Sequence, residues 1–188
     1  MSIELTEERQ DIKSEQLEKL KALLHRVNEN SPFYKKKFRD NKIDIEAVKT
    51  LDDLTYLPFT TKDELRDAYP LGIQAVPDEE VVRIHSSSGT TGKPIIMPYT
   101  RNDVNTWAEM MMRCYMMAGV TPKDRIQITP GYGLWTAGIG FQAGAERLGA
   151  MAIPMGPGNT NKQLQMMVDM KSTVLTSTSS YALLLAEE

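Results

Sequence analysis

From about residue 102 onward the chain alternates between helix-patterned and strand-patterned segments, and this alternation most restricts the fold. The helical pattern from about Asn102 to Ala118 opens on the Thr100/Asp103 capping pair and closes at Gly119. Arg125–Thr129 reads as a strand, 135–148 as a helix and Ala150–Pro154 as a strand. Next come a helix over 161–171, capped by Thr160 with Gln163 three residues on, a strand at Val174-Leu175-Thr176 and the start of a helix at 180–187. Strands separated by helices must run parallel and be covered on their faces. The expected fold class is therefore α/β, a helical N-terminal lead-in followed by alternating helices and mostly parallel strands.

The lead-in covers residues 1–75 and the α/β part 76–188. Residues 7–29 pattern as a docking helix, with Leu17, Leu20, Leu24 and Val27 on one stripe. Asn28, Asn30 and Ser31-Pro32 stop it. Lys35-Lys36-Lys37 reads as a solvated helix face rather than a phosphate patch. Thr61 to Tyr69 is a short helix opened by Thr61/Glu64 and confined by Pro58 and Pro70. Residues 81–84 and 95–99 are short strands, and Pro98 places the second at an edge or a bulge. Met110, Met111, Met112, Met116 and Met117 crowd one helix, which reads as buried rather than as a ligand surface.

Between those two strands lies His85-Ser86-Ser87-Ser88-Gly89-Thr90-Thr91-Gly92-Lys93-Pro94. Glycines let backbone N–H groups converge, the hydroxyls of Ser86, Ser87, Ser88, Thr90 and Thr91 add donors, and Lys93 adds a mobile cation. The spacing is not the GxxxxGK[ST] of a P-loop. A flexible linker would share the composition. The hydroxyl density ending in Gly-Lys-Pro favours a polyphosphate ligand.

Composition narrows the classes. A net charge of −3 in 188 residues, with lysines and acids interspersed, argues against a nucleic-acid partner. A single cysteine, Cys114, rules out an internal disulfide and makes a reducing cytoplasm the expected location. One cysteine and two histidines argue against structural zinc, and no metal ligands are assigned. No apolar run is long enough to span a bilayer, so no membrane partner is expected.

The serine/threonine/glycine loop resembles the phosphate loop of the acyl-adenylate-forming superfamily, the AMP-dependent synthetases and ligases. Val81-Val82-Arg83-Ile84, Tyr99-Thr100-Arg101-Asn102-Asp103, Gly144-Ala145-Glu146-Arg147-Leu148-Gly149, Ser31-Pro32-Phe33-Tyr34 and Leu57-Pro58-Phe59-Thr60-Thr61-Lys62 are similar to the phenylacetate–CoA ligase family. The resemblance implies the N-terminal part of an ATP-dependent aryl-acid CoA ligase. Its co-substrates would be an aryl carboxylic acid, ATP and coenzyme A, with magnesium (Mg2+), and a homodimer is one assembly it leaves open. Ser86, Ser87, Ser88, Gly89, Thr90, Thr91, Gly92 and Lys93 would then hold the ATP phosphates. No catalytic residue is assigned, because the family's catalytic lysine lies in a C-terminal domain that this chain is expected to lack, and the chain alone is expected to be inactive.

The resemblance also implies that Pro130, Tyr132, Gly133, Trp135, Thr136, Ala137 and Gly138 line the aryl pocket. Residue chemistry alone favours close packing as the reason for Gly138, Gly140 and Gly144, since glycine in a helix costs about 1 kcal/mol against alanine. The resemblance favours room for a flat ring instead. Three positions on the pocket depart from the family pattern, Pro130 standing for a tyrosine, Trp135 for a phenylalanine and Ala137 for a glycine, and near the end Thr178-Ser179-Ser180-Tyr181 stands for Thr-Pro-Ser-Tyr. The three on the pocket imply an aryl acid other than plain phenylacetate. Two other readings stay open: an adenylating relative with an acceptor other than CoA, and a non-catalytic folding unit that binds phosphate at most.

Overall fold

A computed structural model describes residues 12–88 and 92–188. The described residues up to Pro98 form one compact unit, and Tyr99–Glu188 forms a second. Residues 7–11 of the expected first helix and Gly89, Thr90 and Thr91 of the loop lie outside the described residues.

The first unit begins with α1, Ile12–Asn30, and α2, Pro32–Asp40. Ser31 separates them and caps α2, with Pro32 at its first position, where a missing N–H costs nothing. The leucine stripe of α1 does what its spacing predicts. Leu24 is buried with Phe38 and Val48, and Leu20, Val27, Tyr34, Ile43, Ile45 and Leu57 pack around them. The third helix, α3, covers Lys62–Asp67 and carries the complete Thr61/Glu64 capping box. The lysine run departs from expectation. Lys35 and Lys36 are exposed, but Lys37 is buried, its side chain only 6% exposed, and its Nζ lies 2.7 Å from Glu64. A helix face that carries Tyr34 and Phe38 inward brings Lys37 with it, and Glu64 neutralises the charge.

Strand β1, Val81–Ser86, pairs with β2, Ile96–Thr100, in a two-stranded sheet. Each is an edge strand, so Pro98 removes no essential ladder bond.

The second unit is the α/β part. α4, Arg101–Met117, starts at the Thr100/Asp103 capping box and ends before Gly119, whose φ is 83°. Then come β3, Arg125–Ile128; α5, Ala137–Leu148; β4, Met151–Pro154; α6, Thr160–Met170; β5, Val174–Thr176; and α7, Ser179–Glu187. The sheet order is β4-β3-β5 and both pairings are parallel, with Ile126 opposite Ala152 and Val174. The expected α/β class with parallel strands is what forms.

Ile126 and Ile128 of the central strand are fully buried with Tyr115, Val120, Ala145 and Ala150. Gln127, between them, points to the other face and meets α6. The methionine helix is not buried all round. Met112 is buried, whereas Met117 is 80% exposed, so α4 is amphipathic and packs by one side. Another departure concerns α6. Its cap is Asn159 at φ 51°, whose side chain accepts from the Lys162 N–H, and not Thr160. Asn tolerates the left-handed region and threonine does not.

Candidate active site

The candidate phosphate loop leaves β1 at Ser86 and returns toward β2 at Ile95. Its base is closed by two bonds. The Ser87 N–H donates to the Ile95 carbonyl at 3.0 Å, and the Ile95 N–H donates to the Ser87 hydroxyl at 2.9 Å. Ser87 is thus fixed, and its O–H is still able to donate, because a hydroxyl accepts and donates at once. Ser88 and Lys93 are exposed. Gly92 has φ 138°, a conformation that side chains rarely adopt, and nothing would touch a Cβ there. Lys93 Nζ lies 5.9 Å from the centre of the Tyr69 ring, within cation–π range. His85, ahead of the loop, is buried. Gly89, Thr90 and Thr91 were also expected to bind phosphate, and they lie outside the described residues.

A hollow of ≈ 680 Å³ in the first unit is lined by Phe33, Lys37, Glu64, Tyr69 and Gly72 among others. Two ion pairs, Lys36–Asp40 and Lys37–Glu64, occupy four of its charged groups. Glu64 takes both Lys37 contacts and the Thr61 N–H. The Lys37 ammonium above all, then the Thr61 N–H, holds the Glu64 carboxyl down at about 2.

The candidate aryl segment follows β3, at the carboxyl end of the parallel strands, where open α/β sheets bind ligands. The strand ends are tied together. Thr129 donates both its N–H and its hydroxyl to the Thr176 carbonyl, at 3.0 and 3.1 Å. Gly156, after β4, donates its N–H to the Ile128 carbonyl at 3.0 Å.

Among the seven expected pocket residues, Pro130, Tyr132 and Gly138 come together. The Gly138 N–H donates to the Gly131 carbonyl at 2.9 Å. A Cβ on Gly138 would lie 2.8 Å from the carbonyl oxygens of Pro130 and Gly131 and from the Tyr132 ring. Glycine is required there because the loop folds onto the start of α5. Gly133, at φ 100°, Trp135 and Thr136 are exposed, and Ala137 is half-buried. Trp135 and Thr136 precede α5 instead of forming its first turn, as the expected 135–148 helix had it, and Thr136 makes no side-chain cap bond. Tyr132 is 36% exposed, and partial desolvation above all, with Tyr115 and Glu146 adding, pushes its phenol upward.

Gly140 and Gly144 have a different reason. A Cβ on Gly140 would stand 2.6 Å from the Trp107 ring, and one on Gly144 2.5 Å from Met111 Cβ. Both are needed for α5 to lie close against α4, which is the packing account.

Sequence reasoning missed Gln127, Gln163 and Gly156. Gln127 Nε2 donates to Oε1 and to the carbonyl of Gln163, at 2.8 and 3.0 Å, and both side chains are buried. A glutamine between two isoleucines in a central strand was the signal, because a buried amide must find partners. At the end of β5 the hydroxyls of Ser177 and Tyr181 are buried without a hydrogen-bond partner among the described residues. No group of three or more His, Cys, Asp or Glu side chains that could hold a metal ion occurs among the described residues. None of their helices is long and apolar enough to cross a membrane.

No protein-family model matches the chain. Phenylacetate-coenzyme A ligase of Pseudomonas putida is 45% identical over 177 residues, covering 94% of this chain and 40% of the relative. The same enzyme of Escherichia coli strain K12 is 46% identical over 95% of the chain and 41% of its own length. That of Thermus thermophilus is 43% identical over 96% and 40%. Among solved structures, 2-hydroxyisobutyryl-CoA ligase with 2-HIB-AMP and CoA in the thioesterification state superposes with a TM-score of 0.86 at 30% identity, covering 93% of this chain and 39% of that one. Its open conformation gives 0.84 at 28%, over 93% and 39%. The chain spans about 40% of the length of the curated relatives it matches. Over nearly its whole length it is a homologue of the phenylacetate-coenzyme A ligases, and it shares the fold of the 39% of 2-hydroxyisobutyryl-CoA ligase that it matches.

Proposed function

We propose that this chain is the N-terminal part of an ATP-dependent aryl-acid CoA ligase. The observation that carries the reading is 43–46% identity to phenylacetate-coenzyme A ligases across 94–96% of the chain. The carboxylate of an aryl acid attacks the α-phosphate of ATP, forming an acyl-adenylate and releasing pyrophosphate. The CoA thiol then attacks the activated carbonyl and displaces AMP. The nucleophile of the first step is already an anion, so no general base is required.

This chain's part is binding and positioning. Residues 76–188 carry the nucleotide- and acyl-binding segments. The loop Ser86–Lys93 holds the β- and γ-phosphates: Ser87 donates from a hydroxyl fixed at the base of β2, and Lys93 clamps charge from an exposed side chain. Donors preorganised where charge develops are the main source of such catalysis. Magnesium would neutralise phosphate charge when bound. The segment Pro130, Tyr132, Gly133, Trp135, Thr136, Ala137 and Gly138 lines the aryl pocket. The protein works in the cytoplasm, where ATP and CoA are available, and a homodimer is consistent with this reading.

The 2-hydroxyisobutyryl-CoA ligase structures contain both an acyl-AMP and CoA, which favours CoA over another acceptor. The test is incubation of the full-length protein with ATP, magnesium and an aryl acid, with and without CoA. Thioester should appear only with CoA. Acyl-adenylate that persists unchanged when CoA is added would point to another acceptor.

A further inference from the structure

The Tyr132 ring is 36% exposed and lies where two glycines leave room for it. One is Gly138, where a Cβ would collide with Tyr132 Cδ2 at 2.8 Å. The other is Gly156, in the loop after β4, where a Cβ would sit 3.8 Å from the same atom. Gly156 at φ 70°, Gly158 at φ 84° and Asn159 at φ 51° turn this loop sharply into α6.

Gly156 is itself fixed on both sides. Its N–H donates to Ile128 of β3. Its carbonyl accepts from Gln163 Nε2 at 2.8 Å, and the same Nε2 reaches the Gly158 carbonyl at 3.4 Å. Gln163 is 1% exposed. Its Oε1 accepts from Gln127 Nε2, and the Ser172 hydroxyl donates to Gln127 Oε1 at 3.1 Å. Each of these buried amides thus donates and accepts in one chain, Ser172–Gln127–Gln163–Gly156, which ends at the loop beside Tyr132. A fully satisfied buried network has one geometry, and the geometry is lost when a member is removed.

We propose that Gln163 is a positioning residue for acid selection: through the Gly156 carbonyl it sets the place of the Tyr132 ring and hence the shape of the aryl pocket. The inference rests on the reading of 130–138 as that pocket. Gln163 does not touch the acid. It carries the spacing of the β4 loop to the residue that does.

The test uses the full-length protein with Gln163→Met, which keeps the bulk and loses the donor, and Gln163→Glu, which keeps the length but faces the two carbonyls with an acceptor. Two readouts are needed. The first is hydrogen exchange of the backbone amides of 131–138. Both variants should raise it, alongside that of 155–159, relative to the wild type. The second is adenylation kinetics with a panel of aryl acids. KM for the best acid should rise about 10-fold and the ranking among acids should narrow, while KM for ATP stays within about 2-fold, since a small misplacement acts only on the group it positions. Exchange confined to 155–163, or a lower Tm with KM for the acid and the ranking unchanged, would make Gln163 merely structural and overturn the proposal. If the wild-type protein adenylates no aryl acid, the functional reading fails. The exchange measurement then still decides whether Gln163 fixes the Tyr132 loop.

Discussion

Lys37 Nζ is 2.7 Å from each carboxylate oxygen of Glu64, and the two partners differ in exposure, at 6% and 41% of their side chains. That asymmetry fixes which substitution harms more. Lys37→Met removes the charge that cannot rehydrate and leaves a half-exposed carboxylate that can. Glu64→Gln leaves a buried ammonium facing a neutral amide. Glu64→Gln should lower the Tm more than Lys37→Met, and the double variant should resemble Lys37→Met alone. Equal losses would show that the Lys37 charge is already hydrated.

The same contact sets a pH response. Glu64 is held down to about 2 in the folded protein, by Lys37 first and Thr61 second. A carboxyl lowered on folding stabilises above its unfolded pKa and loses that contribution as pH falls toward the folded value. Between about pH 4.5 and 2 the wild type should lose stability more steeply than Glu64→Gln. Parallel acid titrations of the two would contradict this.

Gly140→Ala and Gly144→Ala set helix propensity against space. Alanine gains about 1 kcal/mol of propensity over glycine. Overpacking costs typically about 1–3 kcal/mol, and more where backbone is in the way. A Cβ on Gly144 would stand 2.5 Å from Met111 Cβ and 2.9 Å from Met111 backbone carbon, so helix α4 itself must move. On Gly140 it would meet the Trp107 ring, which can tilt. Both should destabilise, Gly144→Ala more, as read by thermal unfolding. A stabilised Gly144→Ala would refute the close-packing account.

Lys93 is exposed and its nearest aromatic partner is Tyr69 at 5.9 Å. Lys93→Ala in the full-length protein should therefore change stability by no more than about 0.5 kcal/mol, as exposed substitutions usually do. It should slow pyrophosphate release much more. A large drop in Tm with normal release would mean that the side chain serves the fold.

Pro130 supplies no hydroxyl and fixes its own φ, and Trp135 adds an indole N–H on an exposed loop. A site built around one set of polar groups rejects an analogue that lacks them. The full-length protein should prefer an indole-like or ring-substituted aryl acid to phenylacetate, read as kcat/KM. A clear preference for phenylacetate, unchanged by Pro130→Tyr with Trp135→Phe, would show that these positions do not set the choice.

Local signals were legible wherever one segment decides its own conformation. The Thr61/Glu64 and Thr100/Asp103 capping boxes formed as their spacing required, and Gly119 ended α4. Signals that depend on distant partners were not. Thr160 and Gln163 look like a helix cap, but Gln163 is claimed by Gln127, 36 residues away. Lys37 looks solvated until Glu64, 27 residues on, is brought beside it. The candidate site divides in the same way. The segments were found from hydroxyls, glycines and a family resemblance. The room that Gly138 and Gly156 leave for the Tyr132 ring appears only when β3, β4 and α5 are placed together.

The most direct test of the central claim is acid-dependent exchange of labelled pyrophosphate into ATP by the full-length protein, measured without CoA. Exchange should appear with an aryl carboxylic acid, require magnesium and fall by about 10-fold or more in Lys93→Ala, given what preorganised phosphate contacts contribute. Exchange with none of phenylacetate, hydroxylated phenylacetates and indoleacetate, or exchange with an aliphatic 2-hydroxy acid alone, would contradict it.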